Sequence, residues 1–358
     1  MPRAPGPGVP RPPRSRARGR ASARVRLFAL LALVCTSLVS DPVRGSSDRA
    51  DPAQVVLKIA SVEAPESPLG TQLQALRTHI EAATVGQVRV KLLLSGALGD
   101  EATLVERTRA GSVQAFAGSV AAIAHGAPAL EVLLAPYLFE SDLEVDRAFD
   151  GPVRRAVGPA LERAGLRFAT WGAGDFRVWF TRRGPLGRPR DATALRVTDA
   201  ASSAERETYR ALRMTEVTAA LADTTVPAAA PNSPDVFDDT LLEGAAVTRS
   251  RAVRHVTLSR HGFAPTAIVY SERWLEGLPE QVRRELVRLP DALVRDARRN
   301  LRQMTPDLLG HLRRRGIEVH EPSRAERAAC ARATARVART VAARAGADGW
   351  RVLHAVGR

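Results

Sequence analysis

The sequence predicts an α/β protein: an open sheet with helices on both faces, arranged as one bipartite domain or two domains. Three observations carry this. Strand-like and helix-like segments alternate from Val55 onward. A chain of 358 residues, 45% of them hydrophobic, is too long for one small core and apolar enough to bury more. The extended stretch from Leu166 to Phe180 contains Gly172 and Gly174, which allow the chain to cross between two lobes.

In chain order, Val55–Ala60 reads as the first strand and Ser61–Pro68 as a turn-rich loop. Leu69 to Ala83 carries apolar residues at Leu73, Leu76 and Ile80, which is helical spacing. The pattern repeats with a strand over Gln87–Leu94, a loop over Ser95–Asp100 and a helix from Glu101 to Ala110 that Gly111 stops. A short strand is expected at Val113–Phe116; Pro128 interrupts the next helical stretch, and Asp142 to Phe149 is helical. Beyond the extended segment come a strand at Leu195–Thr198, a helix at Ser203–Leu212 and a β-like run at Thr215–Leu221. Pro227–Pro234 reads as an inserted loop before a helical Asp235–Leu242. In that assignment the pair Asp238-Asp239 sits near a helix start and is explained by the helix dipole. Thr266–Tyr270 is a buried strand, and from Glu280 the chain reads as almost wholly helical.

The formal charge is +15, with 53 Lys plus Arg against 38 Asp plus Glu, and only Lys58 and Lys91 are lysines. Residues 1–45 hold nine arginines and one aspartate, so they carry +8 of that charge and leave +7 for the rest. Runs such as Arg313-Arg314-Arg315 suit a solvated helix face, and no nucleic-acid module accompanies them. The Pro/Arg-rich leader is followed by the apolar run Leu27–Val39, too short for a comfortable membrane span and suited to a signal peptide cleaved between Ser37 and Gly45. Periplasmic export follows. Cys330 is then the single thiol of the mature chain and reads as a small packing residue.

No catalytic constellation emerges: the seven histidines lack close metal-ligand spacing, and there is no HExxH, nucleophile elbow or P-loop. No enzyme activity, metal or cofactor is expected. The loops Ser61–Pro68 and Ser95–Asp100 fall at carboxyl ends of strands, where ligands bind in open α/β sheets, although ordinary turns explain them equally well. Arg177 and Arg196 each lie in a strand-like run, and arginine meets a carboxylate with a two-pronged donor fork.

From about Leu57 to Val319 the chain resembles the periplasmic solute-binding subunits of tripartite ATP-independent (TRAP) transporters, the dicarboxylate-binding-protein type. The resemblance rests on Leu57-Lys-Ile-Ala60 with Ser67-Pro68, on Ser95-Gly-Ala-Leu-Gly-Asp100 followed by Arg109-Ala-Gly-Ser-Val113, on Ala135-Pro-Tyr-Leu-Phe139, and most specifically on Tyr270-Ser-Glu-Arg-Trp-Leu-Glu-Gly-Leu-Pro-Glu-Gln-Val282. It implies a two-lobed periplasmic-binding-protein fold with a hinge and a long helical C-terminal part. Residues 52–172 with part of 257–290 would form one lobe, 173–256 the other, and 275–358 a mainly helical brace. The implied function is capture of an organic acid by its carboxylate and delivery to a TRAP-type permease, with no nucleic-acid partner. Arg196 falls on the arginine that grips the carboxylate, and Arg177 on an upstream arginine facing the ligand, with Asp175 in place of a glycine. Where the family has a polar Asn-Pro, this chain reads Gly244–Ala252, so Arg249 or Arg251 stands in its place; Arg251, Ser119 and Glu63 complete the candidate ligand contacts. A sensor or orphan binder of the same fold, an exported enzyme, and a binder of anionic surfaces or nucleic acid are the alternatives.

Overall fold

The apolar runs of the sequence become the strands of two sheets. The computed structural model describes residues 55–217, 233–247 and 253–358; the leader, most of the Pro227–Pro234 loop, and Arg249 and Arg251 lie outside the described residues. The described strands are β1 (Val55–Ala60), β2 (Val88–Leu93), β3 (Ala115–Ser119), β4 (Leu166–Trp171), β5 (Asp175–Thr181), β6 (Arg196–Thr198), β7 (Thr215–Val217), β8 (Val236–Thr240), β9 (His255–Thr257), β10 (Phe263–Ala264), β11 (Thr266–Ser271) and β12 (Glu318–His320).

The first sheet has the order β2-β1-β3-β11-β4, with β1 parallel to β2 and β3, and β11 antiparallel to β3 and β4. Both faces of its central strands are covered, and β3 and β11 are correspondingly buried almost throughout, whereas the edge strand β2 alternates with exposed Arg89 and Lys91. Leu57, Ile59 and Ile268 pack under Leu73, Leu76 and Ile80 of the helix Pro68–Ala83, while Ala60, Phe116 and Val269 join the core on the opposite side. Ser67 caps that helix by accepting from the Gly70 amide at 3.0 Å, with Pro68 in the first turn where no donor is needed.

The second sheet has the order β12-β9-β5-β8-β6-β7, with β10 also paired to β5. Two sequence expectations change here. The expected helix Asp235–Leu242 is instead the strand β8 followed by a helix at Leu241–Val247. Antiparallel pairing with β5, from Arg177 opposite Thr240 to Thr181 opposite Val236, overrides local preference, and it moves Asp238 and Asp239 from a helix start into a sheet. The C-terminal region is helical apart from β12, which leaves the helices to run parallel to β9. The third strand also lies two residues later than expected, at Ala115–Ser119, because its register is set by Ile59 opposite Ala115 on β1.

Two short crossings link the sheets, over residues 172–174 and 258–265, and the helical segment between β11 and β12 makes a third passage. The two short crossings touch. The Gly172 amide donates to the Thr266 carbonyl at 2.8 Å and the Thr266 hydroxyl to the Ala173 carbonyl at 2.9 Å. A Cβ on Gly172 would lie 2.2 Å from the Thr266 hydroxyl oxygen, so only glycine permits this approach. The helix Asp291–Arg314 runs past the crossing, with Ala297 and Leu301 against Ala173.

That long helix is tied to the helix Asp142–Asp150 by Arg298, only 3% exposed, which donates to Asp146 at 3.1 Å and Asp150 at 2.8 Å. Arg299 one residue on is 63% exposed and, among the described residues, pairs only with Asp296 in its own helix. Arg298→Ala leaves Asp150 without this partner and Asp146 with Arg302 alone, and should lower unfolding free energy in urea by about 1–2 kcal/mol, whereas Arg299→Ala should change it by less than about 0.5 kcal/mol.

Candidate ligand-binding cleft

A cavity of about 310 Å³ opens where the two crossings meet the sheet edges. The first sheet contributes the loop after β1, the end of β3 at Ser119, and Glu101 at the start of the helix Glu101–Arg109. The second contributes Arg177 from β5, Thr198 from the end of β6, and Asp238, Asp239 and Thr240 from β8. Ala173, Asp175 and Ala264 to Thr266 come from the crossings, and Leu301 from the long C-terminal helix. The carboxyl ends of β1, β3, β6 and β8 meet here, the edge at which open α/β sheets hold ligands, together with the amino ends of the antiparallel strands β5 and β11.

Arg177 is the only lysine or arginine among the described lining residues, and its guanidinium is already engaged. Nε donates to Asp238 Oδ1 at 2.7 Å, Nη2 to the Asp238 carbonyl at 2.7 Å, and Nη1 faces Glu205 at 3.0 Å. Asp238, with a side chain 2% exposed, also accepts from the Tyr209 hydroxyl at 3.0 Å and contacts His261 Nε2 at 3.1 Å. The His261 ring stacks on Trp179, with centroids 3.7 Å apart and planes 4° from parallel, and its Nδ1 lies 2.7 Å from the Ser259 hydroxyl. Burial alone would raise the Asp238 carboxyl, but Arg177 and His261 outweigh it and hold it well below the usual carboxylate range. Burial lowers His261 against the pull of Asp238; a neutral ring donating to Asp238 and accepting from Ser259 fits both contacts.

The rest of the polar lining is acidic. Burial raises Glu63 and Glu101, and each is raised further by the other's neighbour Glu243. Glu101 accepts from the Ser119 amide at 2.7 Å and from its hydroxyl, an approach that Gly118 allows because a Cβ there would lie 2.3 Å from Glu101 Oε1. Asp175 is raised to about 6 by burial. Asp239 is raised to about 9, first by burial and then by a hydrogen bond and charge repulsion from Glu243. Glu205 is raised by burial in spite of Arg177. With Asp199 and Asp238, eight carboxyl groups line the cavity. Glu101 and Glu205 sit in first turns of helices, whose dipoles favour them only in part.

The chain matches the family model described as bacterial extracellular solute-binding protein, family 7, over residues 59–345. It belongs to this family. It is 25% identical over 237 residues to the C4-dicarboxylate-binding periplasmic protein DctP of Rhodobacter capsulatus, covering 64% of this chain and 68% of that one. With a solute-binding protein of Chromohalobacter salexigens it shares 26% identity over 137 residues, 38% of this chain and 41% of the relative, so there the match spans less than half the relative's length. A solved TRAP periplasmic solute-binding protein from Sulfitobacter sp., with bound β-D-galacturonate, superposes with a TM-score of 0.74 at 17% identity, covering 84% of this chain and 98% of that one. The two sheets joined by two crossings are thus the two-lobed fold of this solute-binding family, carrying its long C-terminal helix.

Among the candidate contacts, the structure brings Glu63, Ser119 and Arg177 to one cavity. The Ser119 hydroxyl is also a helix cap, accepting from the Ala122 amide at 3.1 Å. Arg196 is not among the lining residues; its Nε and Nη2 meet the two Asp235 oxygens at 3.0 and 3.1 Å, while Thr198, on the same face of β6, reaches the cavity. Arg251 lies outside the described residues. Sequence reasoning passed over Glu101, Glu205 and His261, and assigned the pair Asp238-Asp239 to a helix start instead of the site. Asp238 and Asp239 were legible only as part of an apolar-acidic strand, Val236-Phe-Asp-Asp-Thr240, and His261 carried no spacing signal. Cys330 is buried as a packing residue, its thiol 3.5 Å from the Gly187 carbonyl.

Asp239 gives a pH-dependent test. A carboxyl raised from its unfolded value to about 9 in the folded protein costs stability as pH rises above about 4, so the wild type is penalised at pH 7–8 but not in acid. Asp239→Asn should therefore stabilise the ligand-free protein by about 1–2 kcal/mol at pH 8 and by almost nothing at pH 4, read from urea unfolding at the two pH values.

Proposed function

We propose that this chain is an exported solute-binding protein that captures a small organic acid in the cleft between its lobes and presents it to the membrane subunits of a TRAP-type permease. The observation that carries this reading is the cavity itself: it lies at the contact of the two crossings, is lined from both sheets, and occurs in a chain of the solute-binding family. The leader and the apolar run at Leu27–Val39 support delivery to the periplasm. The Rhodobacter relative is named for C4-dicarboxylates and the Sulfitobacter structure holds a sugar acid, which supports an organic acid here.

Arg177 takes the carboxylate. Asp238 and Glu205 hold its guanidinium in one orientation, so little side-chain freedom is lost on binding. Arg196 serves as a second arginine that must exchange Asp235 for the ligand, and Arg251, Ser119 and Glu63 complete the contacts. The lobes close by bending at residues 172–174 and 258–265, excluding water and strengthening the charge-assisted bonds. No bond of the solute is made or broken.

A thermal-shift screen against C4-dicarboxylates, sugar acids and amino acids should yield at least one stabilising compound, since binding to the native state alone raises apparent stability. Against that compound, Arg177→Gln should weaken affinity more than tenfold by calorimetry, and Arg196→Gln by a smaller factor because a competing pair with Asp235 is lost with it. Unchanged affinity in Arg177→Gln would remove that residue from the site; a screen without a single hit would sink the organic-acid reading.

A further inference from the structure

The charge of the cleft runs against that of the chain. Basic residues outnumber acidic ones 53 to 38 overall, yet the described cavity lining holds eight carboxyl groups and one arginine. That arginine is matched by Asp238 and Glu205. Of the others, Glu63, Glu101, Asp239 and Glu243 form no ion pair with any described residue; their partners are hydroxyls, backbone amides and one another. Glu243 is at the centre of the group, repelling Glu63, Glu101 and Asp239 alike. An ordinary dicarboxylate placed here would find one neutralised cation and add its own charges to an acidic wall.

From this distribution we infer that the solute is a zwitterion: its carboxylate lies at Arg177 and a cationic nitrogen at its other end lies among Glu63, Glu101 and Glu243. The inference rests on the proposed reading of this cleft as an organic-acid site and specifies which organic acid. Pro68, Leu69, Leu134 and Leu301 supply the apolar wall that the methylenes between two such charged ends require. A protonated amine brings three donors, enough to meet three carboxylates at once, and it removes the mutual repulsion that burial makes costly. A bound divalent cation would answer the same charge, but among the described residues no group of three or more His, Cys, Asp or Glu is arranged to hold one.

The test uses the full chain with three matched sets of straight-chain compounds of three to six carbons: ω-amino acids, dicarboxylates and diamines. Thermal shift and calorimetry are read in buffer containing a chelator. At least one ω-amino acid should bind tenfold or more tightly than the dicarboxylate and the diamine of equal length. The double variant Glu63→Gln with Glu243→Gln should weaken that amino acid at least tenfold and cut its advantage over the dicarboxylate of equal length by at least the same factor; retained thermal stability of the ligand-free variant shows that the fold is intact. A dicarboxylate binding as tightly as the amino acid overturns the inference and leaves the organic-acid reading standing. Dicarboxylate binding that appears only when the chelator is replaced by calcium or magnesium overturns it also, in favour of a metal. Diamines binding more tightly than amino acids overturn the carboxylate at Arg177, and no binding in any set overturns the inference together with the reading beneath it.

Discussion

The buried pair of Arg177 and Asp238 is the constraint around which the second lobe is organised. A guanidinium this deep between strands is tolerable only with its charge matched and its donors used, and breaking such a pair typically costs several kcal/mol. Asp238 sits diagonally across from Arg177 on the same face of the β5–β8 pair, a placement fixed by the register that sets Trp179 opposite Asp238. Around the two charges the core supplies what desolvation demands: the Tyr209 hydroxyl, the His261 ring stacked on Trp179, and Glu205 from a neighbouring helix. A shift of one residue in that register would turn Asp238 to the other face and leave the arginine unmatched.

The same pairing defines what the cleft can offer a solute. Arg177 reaches the cavity as a cation already bound to the protein, preorganised and partly neutralised. Arg196 shows the same arrangement one strand away, held by Asp235 from the segment that also supplies Asp238. Each arginine singled out by its fork therefore carries an aspartate from residues 235–238, and the surplus charge of the cavity is negative. Carboxyl groups forced together out of water keep their protons or await a cation, which is why Asp239 titrates near 9 and Asp175 near 6. Solute charge and lobe closure are coupled through this surplus: closing the cleft strengthens every electrostatic interaction inside it, favourable ones with a matched solute and unfavourable ones without.

Position in the fold makes this coupling mechanical. The two crossings are hydrogen-bonded to each other through Gly172, Ala173 and Thr266, and the lobes meet again where Glu131 accepts from the Ser203 hydroxyl and the Ala204 amide. The cavity opens directly on the junction of the crossings, and the long C-terminal helix touches it through Leu301 while Arg298 ties that helix to the first lobe. A solute bridging Glu63 and Glu101 on one side with Arg177 on the other would span the junction, and only a span of that kind gives closed and open forms different affinities.

Much of the fold was legible in the sequence, because it follows from local pattern. Apolar runs at Val55–Ala60 and Thr266–Tyr270 and helical spacing at Leu73, Leu76 and Ile80 express preferences of a few neighbouring residues, as does the glycine-bearing crossing at 172–174. The family resemblance was likewise written in ordered short fragments. The failures are places where a distant partner decides. Val236–Thr240 reads as the start of a helix until β5 lies beside it, and Asp238 looks like a helix-dipole residue until Arg177 is seen to need it. The sequence by itself determined the α/β class, the two lobes and the presence of Arg177 and Glu63 near a strand-end cleft. Only the tertiary structure decided that Arg196 is held by Asp235, that His261 and Tyr209 serve a buried carboxylate, and that eight acids scattered from Glu63 to Glu243 face one small cavity. Charge in such a site is the sum over residues far apart in the chain, and neither periodicity nor spacing can supply that sum.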